Sequence, residues 1–170
     1  PGLPLIGFSG APFTLASYMI EGGGSRDHDA TKRFMRADKG AWDAMMSLIA
    51  RAVSSYLREQ VAAGVQAVQL FDSWVGVLSP QQYEEFALPY SRRIFAEMAA
   101  TGVPTIHFGT AAASLLELMA SAGGDLVGVD WRVPLDDAWA RIGYDRGIQG
   151  NLDPAILLAP FDVIREGAKD

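Results

Sequence analysis

The side chains in this sequence that could exchange protons or grip a polar ligand recur at one kind of place, the end of a short apolar run. Asp72 and Ser73 close "VQAVQLFDSW", His107 sits towards the end of "VPTIHFG", Asp130 closes "DLVGVDW", and Asn151 and Asp153 close "GIQGNLD". Carboxylates and an imidazole are proton donors and acceptors, while the serine hydroxyl and asparagine amide can orient a substrate oxygen without adding a charge. Each also has an ordinary structural use. Asp72 can cap the following turn, Ser73 can be a turn residue, Asp130 can hold a backbone amide, and His107 on an apolar run can be a satisfied core histidine. The chain has no cysteine, so thiolate catalysis, disulfides and cysteine-based zinc sites are excluded.

A second cluster lies in "YMIEGGGSRD", residues 18–27, where Tyr18 stands one turn ahead of Gly22, Gly23 and Gly24. Each glycine costs roughly 0.5–1 kcal/mol relative to alanine inside a regular element. Such a run therefore marks either a helix C-cap or a loop that moves and approaches a ligand closely. Tyr18 by itself reads first as a half-buried helix tyrosine.

The apolar runs define the elements that must position these residues. Strands are expected at about 4–9, 66–72, 103–108, 126–130 and 147–151. Their apolar residues are nearly continuous rather than alternating, as in parallel strands covered on both faces. Between them, Trp42, Met45, Met46, Ile49, Val53, Tyr56 and Leu57 form a stripe predicting a helix over about 38–63. Ser79, Pro80 and Gln82 make a capping box that opens another helix, which Pro89 interrupts, and Leu115, Leu116, Leu118 and Met119 suit a shorter one.

This alternation gives an α/β chain of about five βα units, either a doubly wound sheet or part of a (β/α)₈ barrel. "EGGGSR" lacks the G-x-G-x-x-G spacing and follows a helix, so no phosphate-binding fingerprint supports the first. Polar residues at the strand ends support the second, because barrels carry their chemistry there. A complete barrel takes roughly 250 residues, so the 170 residues are expected to be a single-domain, incomplete section of one. The start, "PGLPLIGFSG", reads as neither a signal peptide nor a natural initiation site.

With 49% hydrophobic and 20% charged residues the chain can bury a substantial core, and no stretch is long and apolar enough for a membrane span. A net charge of −6 without a basic stripe argues against nucleic acid and anionic membrane surfaces. A small molecule or a protein remains as partner.

Four stretches in order, "GFSGAPFTLASYMIEGGGSRD", "QLFDSWVGVLSPQQYEEFALPY", "GVDWRVPL" and "IQGNLDP", resemble the uroporphyrinogen decarboxylase family, over residue 3 to about 158. The resemblance implies a (β/α)₈ TIM barrel, in a cytoplasmic homodimer. Its activity is removal of CO₂ from the four acetate side chains of uroporphyrinogen III, giving coproporphyrinogen III in haem biosynthesis, with no metal or organic cofactor. It implies that Tyr18 and Ser73 bind this tetrapyrrole, and that Phe8, Gly10, Phe71, Gly22, Gly23 and Gly24 line its pocket around one rim. It also places the family's arginine-rich motif, pyrrole-binding aspartate and histidine outside residues 1–170, leaving no principal catalytic group within them. Two other readings stay open: a non-catalytic fragment or assembly module, and a zinc methyltransferase of the same superfamily. The second needs His-x-Cys, and here Gly109 follows His107-Phe108 where the thiolate ligand would stand.

Overall fold

A computed structural model describes residues 2–169. Five strands, β1 (Ile6–Gly10), β2 (Ala67–Asp72), β3 (Thr105–Gly109), β4 (Leu126–Val129) and β5 (Gly147–Gly150), form one sheet in chain order. All four neighbouring pairs are parallel, as the continuous apolar runs predict. The crossovers carry helices α1 (Pro12–Glu21), α2 (Asp29–Ala37), α3 (Lys39–Ala62), α4 (Pro80–Phe86), α5 (Leu88–Met98), α6 (Leu116–Ser121) and α7 (Leu135–Ile142), and α8 (Phe161–Gly167) follows β5.

Register assigns the two faces of the sheet. Gly10, Phe71, Phe108 and Gly128 lie level across β1 to β4. Phe8, one pleat below Gly10, meets the Phe71 ring edge-on at 5.7 Å, and Phe71 meets Phe108 at 5.6 Å. The alternate residues Val68, Leu70, His107, Val127 and Val129 are buried on the opposite side, beneath the helices. Gln69 on β2 and Gln149 on β5 stand three strands apart, about 14 Å on a flat sheet. Their amides nevertheless come within 3.5 Å, so the sheet curls and its aromatic face is concave. The molecule is thus an incomplete α/β barrel section of five βα units.

The helices obey their local signals. Asp38 caps α3 by accepting the Ala41 N–H at 2.9 Å, and Trp42, Met46, Ile49, Val53 and Leu57 are buried along it. Tyr56 departs from the expected stripe and is exposed. A seven-residue step falls about 20° short of two full turns, so the Trp42–Ile49–Tyr56 row drifts off one edge of a buried arc that takes in Ala50 and Ser54 on its other edge. Both bonds of the Ser79–Gln82 capping box are made, and Pro89 begins a new helix, leaving Ala87 between α4 and α5 at φ −126°. Helices α2, α7 and α8 have no counterpart in the sequence reading. α2 buries only Thr31 and Met35, too short a stripe to read as periodic.

Candidate active site

The C-terminal ends of the strands are where α1 and β2 are tied together. Pro12 occupies the first turn of α1, where its missing N–H costs nothing and its fixed φ suits the helix. Just ahead of it the Ala11 N–H donates to the Phe71 carbonyl at 2.8 Å. One turn on, the Thr14 hydroxyl donates to Asp72 Oδ1 at 3.1 Å and accepts the Trp74 N–H at 3.3 Å. Tyr18, a further turn along the same face of α1, is 46% exposed, and its ring meets Trp74 edge-on at 5.8 Å. Tyr18 therefore touches the residue next to Ser73, and both stand at the strand end beyond Phe8 and Phe71.

The glycine run combines a cap with an open loop. Gly22, at φ 71°, closes α1 by donating its N–H to the Tyr18 carbonyl at 3.1 Å. A Cβ on Gly22, Gly23 or Gly24 would meet no atom within 4 Å among the described residues, so their side-chain directions face open space. The loop base is fixed where Glu21 accepts both the N–H and hydroxyl of Thr31 at 2.9 Å. Those bonds, the backbone one first, hold the Glu21 carboxyl below its usual range. Gly10 is different: a Cβ there would lie 2.8 Å from Leu15 Cδ2, so a larger residue would have to displace the Leu15 side chain on α1.

The remaining polar residues divide by the face they occupy. Asp72 is wholly buried on the helix-covered side, and burial pushes its carboxyl up to about 7. His107 was expected where a strand finishes; it lies mid-strand, because β3 runs on to Gly109, and it faces the helices. Its Nδ1 lies 3.3 Å from the Met119 carbonyl, its ring packs 4.9 Å from Phe95, and burial lowers its pKa to about 4. His107 is a neutral core histidine. Asp130 accepts the Ala111 N–H at 2.6 Å and the Arg132 N–H at 3.0 Å, which secures Ala111 in a left-handed conformation at φ 53°. Asp153 caps a 3₁₀ turn at Ala155, and the Asn151 N–H bonds the Val129 carbonyl. Among the described residues, no three His, Cys, Asp or Glu side chains converge as a metal site would need.

Thr14, Trp74 and His28 belong to this rim and were not singled out from the sequence. His28 is buried against Trp74 at 5.2 Å in a left-handed conformation, φ 51°, with no hydrogen-bond partner on either ring nitrogen. Thr14 could have been found from its four-residue spacing to Tyr18; His28 had no signal, since only the fold brings it to Trp74, just past β2.

A recess of about 270 Å³ opens at the ends of β3, β4 and β5, lined by Phe108, Val129, Asp130, Trp131 and Asn151. A larger one, about 470 Å³, lies at the opposite ends of β3 and β4 around Thr105 and Asp125. The smaller is the relevant one, since barrel chemistry sits at C-terminal strand ends and the other end serves stability.

Parallel strands in chain order, helices on the convex side and a hydroxyl-bearing aromatic rim at the strand ends define a barrel protein of the (β/α)₈ class. Matched along its whole length, residues 1–170, by the family described as uroporphyrinogen decarboxylase, the chain belongs to that family. Proteins with that name from Carboxydothermus hydrogenoformans and Sorangium cellulosum are each 57% identical to it, over 168 and 166 residues, or 99% and 98% of the chain. One from Rhodococcus erythropolis is 56% identical over 161 residues, 95% of the chain. The chain spans about half the length of these curated relatives, between 45% and 48%.

Proposed function

We propose that this chain forms the β1–β5 wall of a uroporphyrinogen decarboxylase, which takes CO₂ from the four acetate side chains of uroporphyrinogen III without a cofactor. The observation that carries the reading is the ring contact of Tyr18 with Trp74, the residue after Ser73, at the end of the strands that hold Phe8 and Phe71. A tetrapyrrole with eight carboxylates needs donors around a ring-sized apolar floor. Phenol and alcohol hydroxyls supply donors without a charge to desolvate. Gly10, Gly22, Gly23 and Gly24 complete the pocket edge in this reading, with the open loop admitting the bulky ligand.

Each decarboxylation breaks a C–C bond and leaves its electron pair on a methylene attached to a pyrrole. The pair is accommodated only if the ring is protonated and the developing charge is stabilised, and the methylene then gains a proton to become a methyl. A phenol or alcohol hydroxyl donates a hydrogen bond and brings no ionic charge to set against one on a pyrrole. In this reading the chain's own residues bind and orient carboxylate arms, and the arginine, aspartate and histidine that the resemblance implies for charge come from outside residues 1–170. The recess beside Phe108 falls below the 300–1,000 Å³ usual for ligand sites, as expected of one wall of a larger pocket. A cytoplasmic homodimer belongs to the same reading. No described helix is long and apolar enough to cross a membrane.

The test is a chimaera in which this chain replaces its aligned stretch of the Carboxydothermus hydrogenoformans relative. Turnover of uroporphyrinogen III to coproporphyrinogen III is expected. A folded chimaera that neither turns over nor binds uroporphyrinogen, where the parent does both, overturns the reading.

A further inference from the structure

We propose that Asp72 and Thr14 are a pair of positioning residues that fix Ser73 relative to Tyr18; the inference rests on the reading that these two hydroxyls hold the substrate's carboxylates. The Thr14 hydroxyl has one proton and serves two partners. Its proton goes to Asp72 Oδ1 at 3.1 Å, which leaves a lone pair aimed at the Trp74 N–H at 3.3 Å. Asp72 thereby dictates the rotation of the hydroxyl, and the hydroxyl holds the backbone amide immediately after Ser73. Tyr18 follows Thr14 by four residues on α1, so it shares that helix face. Its ring contact with Trp74 closes the circuit from Asp72 through Thr14, Tyr18 and Trp74 back to Ser73.

The burial of Asp72 is hard to explain by stability. Among the described residues its Oδ2 is buried without a hydrogen-bond partner, and so is the hydroxyl of the nearby Tyr83. Unsatisfied buried carboxyl oxygens are costly, and an apolar side chain of similar volume would often be neutral or better there. Local cost of this kind is expected where geometry near a site matters more than stability. The geometry at stake is small, since a displacement of about 1 Å can change a rate a hundredfold.

The experiment uses the chimaera and its variants Thr14→Val, Thr14→Ser and Asp72→Leu. It follows steady-state kinetics, thermal midpoints, and affinity for a fluorescent octacarboxylate porphyrin by anisotropy. Thr14→Val and Asp72→Leu are expected to weaken porphyrin binding and raise KM about tenfold, with kcat within threefold. Asp72→Leu melts at the same or a higher temperature, and Thr14→Ser binds within twofold of the unaltered chimaera. Tyr18→Phe should cost less in the Thr14→Val background than alone, because an unheld Tyr18 has less to lose. Unchanged binding in both Thr14→Val and Asp72→Leu, failure of Thr14→Ser to restore it, or additive Tyr18 and Thr14 effects would each overturn the proposal. If the unaltered chimaera binds no porphyrin, the tetrapyrrole reading fails instead. Exchange of the Trp74 amide hydrogen then decides separately whether the hydroxyl holds the turn: at least tenfold faster in Thr14→Val but not in Thr14→Ser if it does, unchanged in both if it does not.

Discussion

Asp72 and His107 are both buried on the helix-covered side of the sheet, and burial moves their protonation in opposite senses. Asp72 rises from the ordinary 3.8 to about 7 and His107 falls from 6.5 to about 4, with Tyr83 the titratable group facing Asp72. Between about pH 4 and 7 the folded chain holds the Asp72 proton and the unfolded chain does not. That contribution is fully present at low pH and is lost as pH rises. For His107 the unfolded chain binds the extra proton, so its contribution is present at neutral pH and is lost as pH falls from 6.5 towards 4. Each slope is about 1.4 kcal/mol per pH unit, and they cancel across their shared window. Asp72→Asn should therefore expose the histidine slope, to which His28, likewise lowered by burial, adds, so that its stability falls more steeply with acidification below pH 6.5 than the parent's. Urea unfolding at pH 4.5, 5.5 and 6.5 reads this directly, and a variant no steeper than the parent would refute the buried-pair account. For the rim hydroxyls the measurement is kinetic. In the chimaera, Tyr18→Phe and Ser73→Ala should each lower kcat/KM roughly ten- to a hundredfold, the 1.5–3 kcal/mol of one hydrogen bond to a charged partner. Complete loss in Ser73→Ala would mean that its role exceeds positioning.

Elements were legible where a local rule governs them. The five strands, the capping box and the break at Pro89 follow from side-chain periodicity, one reciprocal cap and a ring that cannot continue a helix. Placement across elements was less legible. That His107 faces the helices depends on β3 running to Gly109, and the meeting of Thr14 with Trp74 spans 60 residues. Tyr18 and Ser73 were nominated by family resemblance, since a lone tyrosine and a strand-end serine carry little signal of their own. The glycine run shows the same limit, because local sequence favours a cap without excluding a moving loop. Conformation separates them: Gly22 alone is left-handed, while Gly23 and Gly24 are not and face open space. Gly22→Ala should cost about 1–2 kcal/mol from a strained left-handed alanine. Gly23→Ala and Gly24→Ala should instead raise stability by about 0.4–1 kcal/mol, through a less flexible unfolded chain. If the loop moves to admit substrate, those two stabilised variants bind porphyrin more slowly in the chimaera. Unchanged association rates would leave the run as a cap followed by an inert linker.

At the scale of the whole molecule, the two faces of the sheet are unequal. The convex side is filled by the helices, whereas on the concave side Ile6 and Phe8 are 48% and 61% exposed. Around the last strand Leu158 and Phe161 are also exposed, at 91% and 76%. Large apolar side chains left this exposed at both edges of a sheet mark surface that another element or chain covers. In a closed barrel the concave face becomes the packed interior. Studied by itself, the 170-residue chain should therefore associate through these residues and bind an apolar dye. The double variant Phe8→Lys and Leu158→Lys places one charge on each patch, where pairing would bury it. It should shift sedimentation towards monomer and cut dye fluorescence severalfold, while leaving the convex core and its circular dichroism unchanged. On the proposed function neither form should release CO₂ from uroporphyrinogen, because hydroxyls that hold carboxylate arms would not stabilise charge on a pyrrole. A parent chain that sediments as a monomer without binding dye would show that the concave face closes on itself. Turnover by the isolated chain would place the charge-stabilising groups within these residues after all.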